Sequence, residues 1–359
     1  MTEFDVVIVG QGLAGSALAW RLREQGLNLL VIDQPRQTTA SRVAAGLITP
    51  ITGPRLVLYP RYLELLKGAE EFYRQVEAQA ALGSPGSWAS GGQLLESRRM
   101  LKLFVSAAER QLFERKRVEL EPVVVREHPE IENNWYRADD GGFEMQGAQL
   151  RVSIYLDIVR MTLLAESRLL SAELTPESPI EFERGRVILS EFGLSAKWLI
   201  FCDGSWATTQ RWFADAGFNL AKGEILTVDI PDWNESRVIH RGVWIAPTST
   251  GLYHLGATYE WQELNDLPTE QGRAELLARL AEWFRGPVRV INQTAAVRPA
   301  TRDSRPLIGF HPLRPQIGLF NGFGSRGSLL VPYYSTQFAN ALLNGHPIDA
   351  EVQVTRWNR

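Results

Sequence analysis

The sequence predicts an α/β protein of two units, one built on a parallel sheet and one α+β unit built on an antiparallel sheet. Three features carry this. A β-branched apolar run, Phe4 to Val9, leads through Gly10-Gln11-Gly12 into a helical pattern and then a second apolar run, Leu27 to Ile32, which is the order strand, tight turn, helix, strand. Between Glu224 and Gln293, by contrast, short apolar runs follow one another around a single helical segment. The chain of 359 residues also exceeds the size at which one hydrophobic core stops growing.

Composition narrows the function classes. The chain is 45% hydrophobic and 22% charged with a net charge of −3, an ordinary globular balance. With Cys202 as the one cysteine, an intrachain disulfide and a cysteine metal centre are excluded, which fits a reducing, cytoplasmic setting. Acids slightly outnumber bases, so a large nucleic-acid footprint is not expected, since such binding draws on phosphate neutralisation. Residues Met1 to Phe4 lack a basic segment and no run reaches the roughly 18 apolar residues of a spanning helix, so neither a leader nor a membrane span is expected.

Along the chain, helical spacing from Leu13 stops at Gly26, and a helix from Pro60 (Leu63, Leu66, Ala69, Phe72, Tyr73, Val76) ends by Gly83. The Gly-, Ser- and Pro-rich stretch Gly83 to Gly92 reads as a linker. A charged segment (Arg110 to Glu121), a strand (Pro122 to Val125) and a turn at Asp139 to Gly142 precede a helix near Ser153 to Leu164, with Ile154, Ile158, Met161 and Leu164 on one side. Strands follow at Arg186 to Ser190, Lys197 to Phe201, Glu224 to Ile230, Val238 to Ala246 and Gly251 to Thr258, then a helix over Glu270 to Phe284 and a strand over Val288 to Gln293. The end returns to a strand, Ile317 to Phe320, a glycine turn and a helix from about Val331 to Leu343.

Gly10, Gly12 and Gly15 form G-x-G-x-x-G between a strand and a helix start, where backbone N–H groups and the helix dipole receive a pyrophosphate. Asp33 ends the second strand about twenty residues on, where a carboxylate accepts from a ribose diol. An acid there, rather than an arginine, favours an unphosphorylated adenosine ribose. A Rossmann-like unit follows, and the cofactor is NAD or FAD.

Three further segments bear on that choice: Thr39 to Ile48, rich in small residues; Trp198 to Trp206, a strand running into a glycine turn; and Phe320-Asn321-Gly322-Phe323-Gly324-Ser325-Arg326-Gly327-Ser328. In this order they resemble the D-amino-acid-oxidase-like (DAO) family of FAD-dependent oxidoreductases, which includes glycine oxidase, sarcosine oxidase and the flavin domain of the tRNA wobble-uridine modification enzyme. The resemblance runs from Phe4 to about Gly345 and is weak from Gly83 to Gln146. It implies a fold of the glutathione-reductase type, with residues 1–82, 146–212 and 294–359 binding FAD and residues 83–145 and 213–293 forming the substrate unit. It also implies cofactor contacts at Gly10, Gly12, Leu13, Ala14, Gly15, Asp33 and Gln34, at Ser41, Arg42, Ala45, Gly46, Leu47 and Ile48, at Cys202, Asp203, Gly204 and Trp206, and at Gly322, Gly324, Ser325, Gly327 and Ser328. Cys202 does not match the attachment point of covalent members, so the FAD is expected to be noncovalent. Small residues usually stand at the position of Asp203, whose carboxylate is a departure.

Val297-Arg298-Pro299-Ala300-Thr301-Arg302-Asp303 and the following Ser304 to Gly309 match the family segment whose first arginine pairs with a substrate carboxylate. The resemblance thus implies Arg298 as a substrate-holding residue, with Arg326 as a second candidate; Trp244, Tyr253, Tyr259 and Trp261 are candidates for the pocket wall, core packing being the commoner role for any one of them, and His240 and His254 are further candidates. The spacing of the five histidines makes no metal site. The implied activity is oxidation of the C–N bond of an amino acid or N-substituted glycine by hydride transfer to flavin N5, with imine hydrolysis and oxygen or another electron acceptor. Two alternatives stay open: RNA modification at a carboxymethylaminomethyl group, and 2-hydroxy-acid dehydrogenation with a quinone acceptor.

Overall fold

The computed structural model describes residues 1–357 except 35, 37, 84–92 and 133. The linker expected over Gly83 to Gly92 therefore lies, beyond Gly83, outside the described residues. The first sheet, parallel at its centre and antiparallel where Arg186–Leu189 joins Glu181–Glu183 and Leu194–Phe201, has the strand order Glu181–Glu183, Arg186–Leu189, Leu194–Phe201, Thr2–Val9, Leu29–Ile32, Leu169–Leu170. The C-terminal half of Leu194–Phe201 also pairs with Arg314–Asn321, which in turn pairs with Leu307–His311.

Thr2–Val9 shows why the first apolar run is continuous rather than alternating. Val6 and Ile8 enter a core shared with the helices Leu13–Glu24, Tyr62–Gly83, Val152–Ala165 and Gly327–Asn344, whereas Val7 and Val9 enter a second core on the opposite face. Both faces are covered, as in parallel sheets generally, and each such side chain contributes roughly 1.5–3 kcal/mol on burial.

The second sheet has nine strands, in the order Arg289–Arg298, Ala221–Asp229, Tyr253–Gly256, Val243–Pro247, Val238–Arg241, Leu95–Leu103, Gly142–Leu150, Leu47–Ile48, with Val124–Arg126 also on Gly142–Leu150. Its pairings are antiparallel except that of Val238–Arg241 with Leu95–Leu103. One face buries Leu101, Leu226, Val228, Ile239, Ile245 and Leu255 against Leu276 and Leu280 of the helix Glu270–Ala281. The opposite face carries Arg298 and looks toward the parallel-sheet unit. Strands Gly142–Leu150 and Arg289–Arg298 run through the boundaries suggested at 145/146 and 293/294, and Leu47–Ile48 joins this sheet from the other segment.

Several elements differ from expectation. The charged stretch becomes the helix Ala107–Leu120, started by Ser106, whose hydroxyl accepts from Glu109 N–H. Val238 to Ala246 is two strands, folded back at Gly242 with φ +74°. In Val152–Ala165 the buried side comprises Tyr155, Leu156, Ile158, Val159 and Leu163, while Met161 and Leu164 point to solvent. The last helix begins at Gly327, a turn earlier than the sequence suggests, with Pro332 inside it. Proline lacks the N–H that would reach Ser328 C=O, and the hydroxyl of the fully buried Tyr73 donates to that oxygen instead, at 3.0 Å. Tyr73→Phe should therefore lower stability by about 1–3 kcal/mol in denaturant unfolding, and adding Pro332→Ala, which restores a backbone donor, should recover part of the loss.

Candidate active site

Strand register brings the glycine turns together. Val9 is level with Ile32 on one side and Phe201 on the other, so Gly10, Asp33 and Cys202 leave the same sheet edge. Gly10 has φ +97°, and a β-carbon there would lie 2.7 Å from Cys202 O; one on Gly15 would lie 1.8 Å from Gly10 O. Only glycine allows that approach. The helix Leu13–Glu24 starts directly above, its Leu13 N–H capped by Ser41 Oγ at 3.0 Å, while the N–H groups of Ala14 and Gly15 have no protein acceptor among the described residues. A cradle without side chains, with free donors at a helix start, fits a dinucleotide pyrophosphate.

The third turn meets the same edge. Asn321 Nδ2 donates to Asp203 Oδ1 (3.2 Å) and to Gly204 O (2.9 Å), and Gly327 packs beside Leu13. Asp33 is held by two partners that the motif does not reveal: Gln11 N–H donates to Oδ1 at 2.8 Å and Arg160 Nη1 to Oδ2 at 3.0 Å. Arg160 comes from a helix 127 residues away, so no local spacing signals it. Gln34 Oε1 accepts from Arg36, whose guanidinium stacks 4.1 Å above the half-exposed Trp206.

The segment Ser41 to Ile48 divides. Arg42 sits in the short helix Ala40–Val43 and pairs with Asp157 at 3.0 Å, and Ala45 O accepts from Gln149 Nε2 at 3.1 Å. Gly46 is required by the protein itself: φ is +72° and a β-carbon would lie 2.0 Å from Leu150 O, where Leu47–Ile48 joins the second sheet. At the last turn Gly322 and Gly324 have φ of +78° and +53°, Gly324 N–H donates to Pro299 O at 3.2 Å, Ser325 is exposed and Ser328 is buried. This bond sets the Arg298 strand end against the turn at residues 322–328.

Arg298 and Gly223 lie on one face of the second sheet, since Ala221 pairs with Arg298. A β-carbon on Gly223 would lie 1.9 Å from the guanidinium, so glycine lets the group lie flat on the sheet. Tyr259 covers its other side at 4.5 Å. Of five N–H donors, one is used within the protein, Nη1 to Thr258 O at 3.2 Å, and no carboxylate lies within 4.0 Å among the described residues. Burial lowers its pKa, but a guanidinium remains charged at neutral pH. Arg326 likewise has no carboxylate partner among the described residues; it stacks 4.8 Å from the Tyr59 ring and donates to Thr52 Oγ1. Tyr59 and Thr52 were not singled out by the sequence, and neither was Gln149.

Of the suggested wall residues, Trp244 lies on Gly256 on the Arg298 face and Tyr259 and Trp261 stand at its rim. Tyr253 does not: it is buried in the opposite core, its hydroxyl donating to Trp233 O at 2.9 Å. Burial pushes His240 down to about 4 and lowers His254, so both imidazoles are neutral at pH 7. Among the described residues no group of three His, Cys, Asp or Glu could hold a metal ion, and no helix is long and apolar enough to cross a membrane.

The Oδ2 atom of Asp203 is buried and unpartnered, and desolvation raises the carboxyl pKa to about 7. Unfolded, it titrates near 3.8, so between about pH 4 and pH 7 the folded state binds more protons and stability falls as pH rises. Asp203→Asn should remove that decline: its stability relative to the parent, measured by denaturant unfolding, should be higher at pH 8 than at pH 5. An unchanged difference would rule out the neutral carboxyl.

A family model described as FAD dependent oxidoreductase (DAO) matches residues 5–340. The chain is 25% identical to glycine oxidase of Bacillus licheniformis, over 97% of this chain and 95% of that protein. It is also 25% identical to the tRNA 5-methylaminomethyl-2-thiouridine biosynthesis bifunctional protein of Caulobacter vibrioides, over 94% of this chain and 54% of that one. Among solved structures, glycine oxidase from Geobacillus kaustophilus superposes with a TM-score of 0.80 at 19% identity, covering 99% of both chains. Iminodiacetate oxidase from Chelativorans sp. superposes at 0.74 and 19%, covering 96% of both. Fold, glycine cradle and family match agree: this chain belongs to the DAO family of FAD-dependent oxidoreductases.

Proposed function

We propose that this enzyme oxidises the C–N bond of a small amino acid or N-substituted glycine held by its carboxylate. The observation that carries the reading is Arg298: a partly buried cation, unpaired by any carboxylate among the described residues, with most of its donor edge free and its strand end bonded to the turn at residues 322–328. A planar fork of that kind matches a carboxylate in bidentate fashion, and burial strengthens the pair. Amino-acid and amine substrates also stand in the names of its relatives and structural neighbours.

In this reading the FAD is noncovalent. Gly10, Gly12, Leu13, Ala14 and Gly15 would hold the pyrophosphate, Asp33 and Gln34 the adenosine ribose, and Ser41, Arg42 and Ala45 to Ile48 the stretch toward the ring. Cys202 to Gly204 with Trp206 would close on the dinucleotide, and Gly322, Gly324, Ser325, Gly327 and Ser328 would lie beside the ring. In this division residues 1–82, 146–212 and 294–359 form the FAD unit and residues 83–145 and 213–293 the substrate unit, with strands Gly142–Leu150 and Arg289–Arg298 crossing from one to the other. FAD held there would supply a two-electron acceptor for hydride from the substrate Cα–H bond.

The chain's own residues supply orientation. Arg298 fixes the carboxylate and so the direction of the Cα–H bond; Gly223 and Tyr259, above and below the guanidinium, keep water from its faces. Arg326 stands at the start of the helix Gly327–Asn344, where its charge and the helix N-terminus favour negative charge nearby. The imine is released to water, which hydrolyses it, and no side-chain base is assigned.

Anaerobic mixing of the holoenzyme with amino acids, N-methyl and N-carboxymethyl amines and hydroxy acids tests this. Bleaching of the flavin by amino carboxylates supports the reading, and peroxide on aeration makes the enzyme an oxidase; bleaching by hydroxy acids alone would overturn it. Arg298→Ala should raise KM for the reactive acid about 30- to 100-fold. An unchanged KM would remove Arg298 from its role.

A further inference from the structure

We infer that the substrate carries an apolar, preferably aromatic, group beyond its carboxylate, received by Tyr259 and Trp261 at the rim of the site. The inference rests on Arg298 as the carboxylate anchor and adds the identity of what the anchor presents.

Three planar groups form a continuous run outward from the sheet. The Arg298 guanidinium lies on Gly223, the Tyr259 ring covers it at 4.5 Å, and Trp261 stacks next to Tyr259 with centroids 6.1 Å apart and an interplanar angle of 28°. The two rings are 50% and 56% exposed, although side chains of this size normally bury most of their surface. An acid bound edge-on to the guanidinium directs its substituent along the edges of these rings. Glycine itself would leave them bare.

The loop backbone that carries the rings is held in place before anything binds. Lys222 and Glu260 exchange two backbone hydrogen bonds, of 2.8 and 3.0 Å, and the buried Lys222 Nζ donates to Asn265 Oδ1 at 2.9 Å, pinning both ends of the loop that carries Trp261. The Glu260 carboxylate accepts from the N–H groups of Trp261 and Gln262. A backbone that needs little ordering lowers the entropic cost of binding planar groups there. The exposed Leu264 and Leu267 extend the apolar rim, but Glu260, Glu263 and Asp266 are interleaved with them, and this acidic pattern disfavours an anionic bilayer as the occupant.

Perturbation of the flavin spectrum of the holoenzyme by acetate and by phenylacetate measures the preference without turnover, and flavin reduction by N-ethylglycine and N-benzylglycine measures it with turnover. Phenylacetate should bind about tenfold tighter than acetate, and Trp261→Ala should reduce that ratio to within about threefold while Trp261→Phe retains most of it. Because Trp261 is half exposed, its replacement leaves the core intact. Equal binding of the two acids, or a ratio unchanged in Trp261→Ala, overturns the aromatic rim while flavin reduction by N-ethylglycine still upholds amine oxidation. If no amino carboxylate reduces the flavin and Arg298→Ala binds acetate like the parent, the carboxylate anchor has failed and the rim falls with it.

Discussion

The position of Thr2–Val9 between two parallel neighbours is the constraint from which the site follows. Gly10 N–H donates to Ile32 O at 2.9 Å and Cys202 N–H to Val9 O at 2.8 Å, so three chain segments far apart in sequence end level with one another. Everything at that edge must then be small or be explained. Gly10 and Gly15 are small because backbone from the neighbouring segments fills the space that a β-carbon would take. A shift of this strand by one residue would exchange the side chains of its two cores and move the turn away from Asp33.

The second sheet contributes the opposite kind of feature, a charge in a place where charge is costly. Partly burying a guanidinium without a carboxylate is unfavourable, and in the proposed function an anionic substrate offsets that cost. Gly223 provides the flat bed and Tyr259 the cover, while the bond from Gly324 N–H to Pro299 O connects that strand to the parallel-sheet unit. The two units are thereby joined where the proposed function has cofactor and substrate meet.

Much of this was legible in the sequence because it is local. The strand, glycine turn, helix and acid of the first thirty-three residues follow from periodicity and spacing, and the DAO resemblance supplied the FAD and the interest of Arg298. Long-range partners were not legible. Arg160 reaches Asp33 from a helix whose own pattern speaks only of packing, and Tyr73 supplies the donor that Pro332 removes. Likewise, nothing local shows that Gly46 is required by Leu150 of the second sheet, or which of the candidate aromatics, Tyr253 among them, packs in the far core rather than on the Arg298 face. Alternation along Tyr253–Gly256 places His254 and Gly256 on one face and Tyr253 and Leu255 on the other, and the expected run Gly251 to Thr258 did not say which face turns inward.

The most direct test of the carboxylate anchor is a crystal structure of the holoenzyme soaked with an unreactive carboxylate such as acetate. Both carboxylate oxygens should lie within hydrogen-bond distance of the Arg298 guanidinium, with the adjoining carbon facing the flavin ring. An acid bound elsewhere, with Arg298 paired to a side chain of the protein, would contradict the assignment.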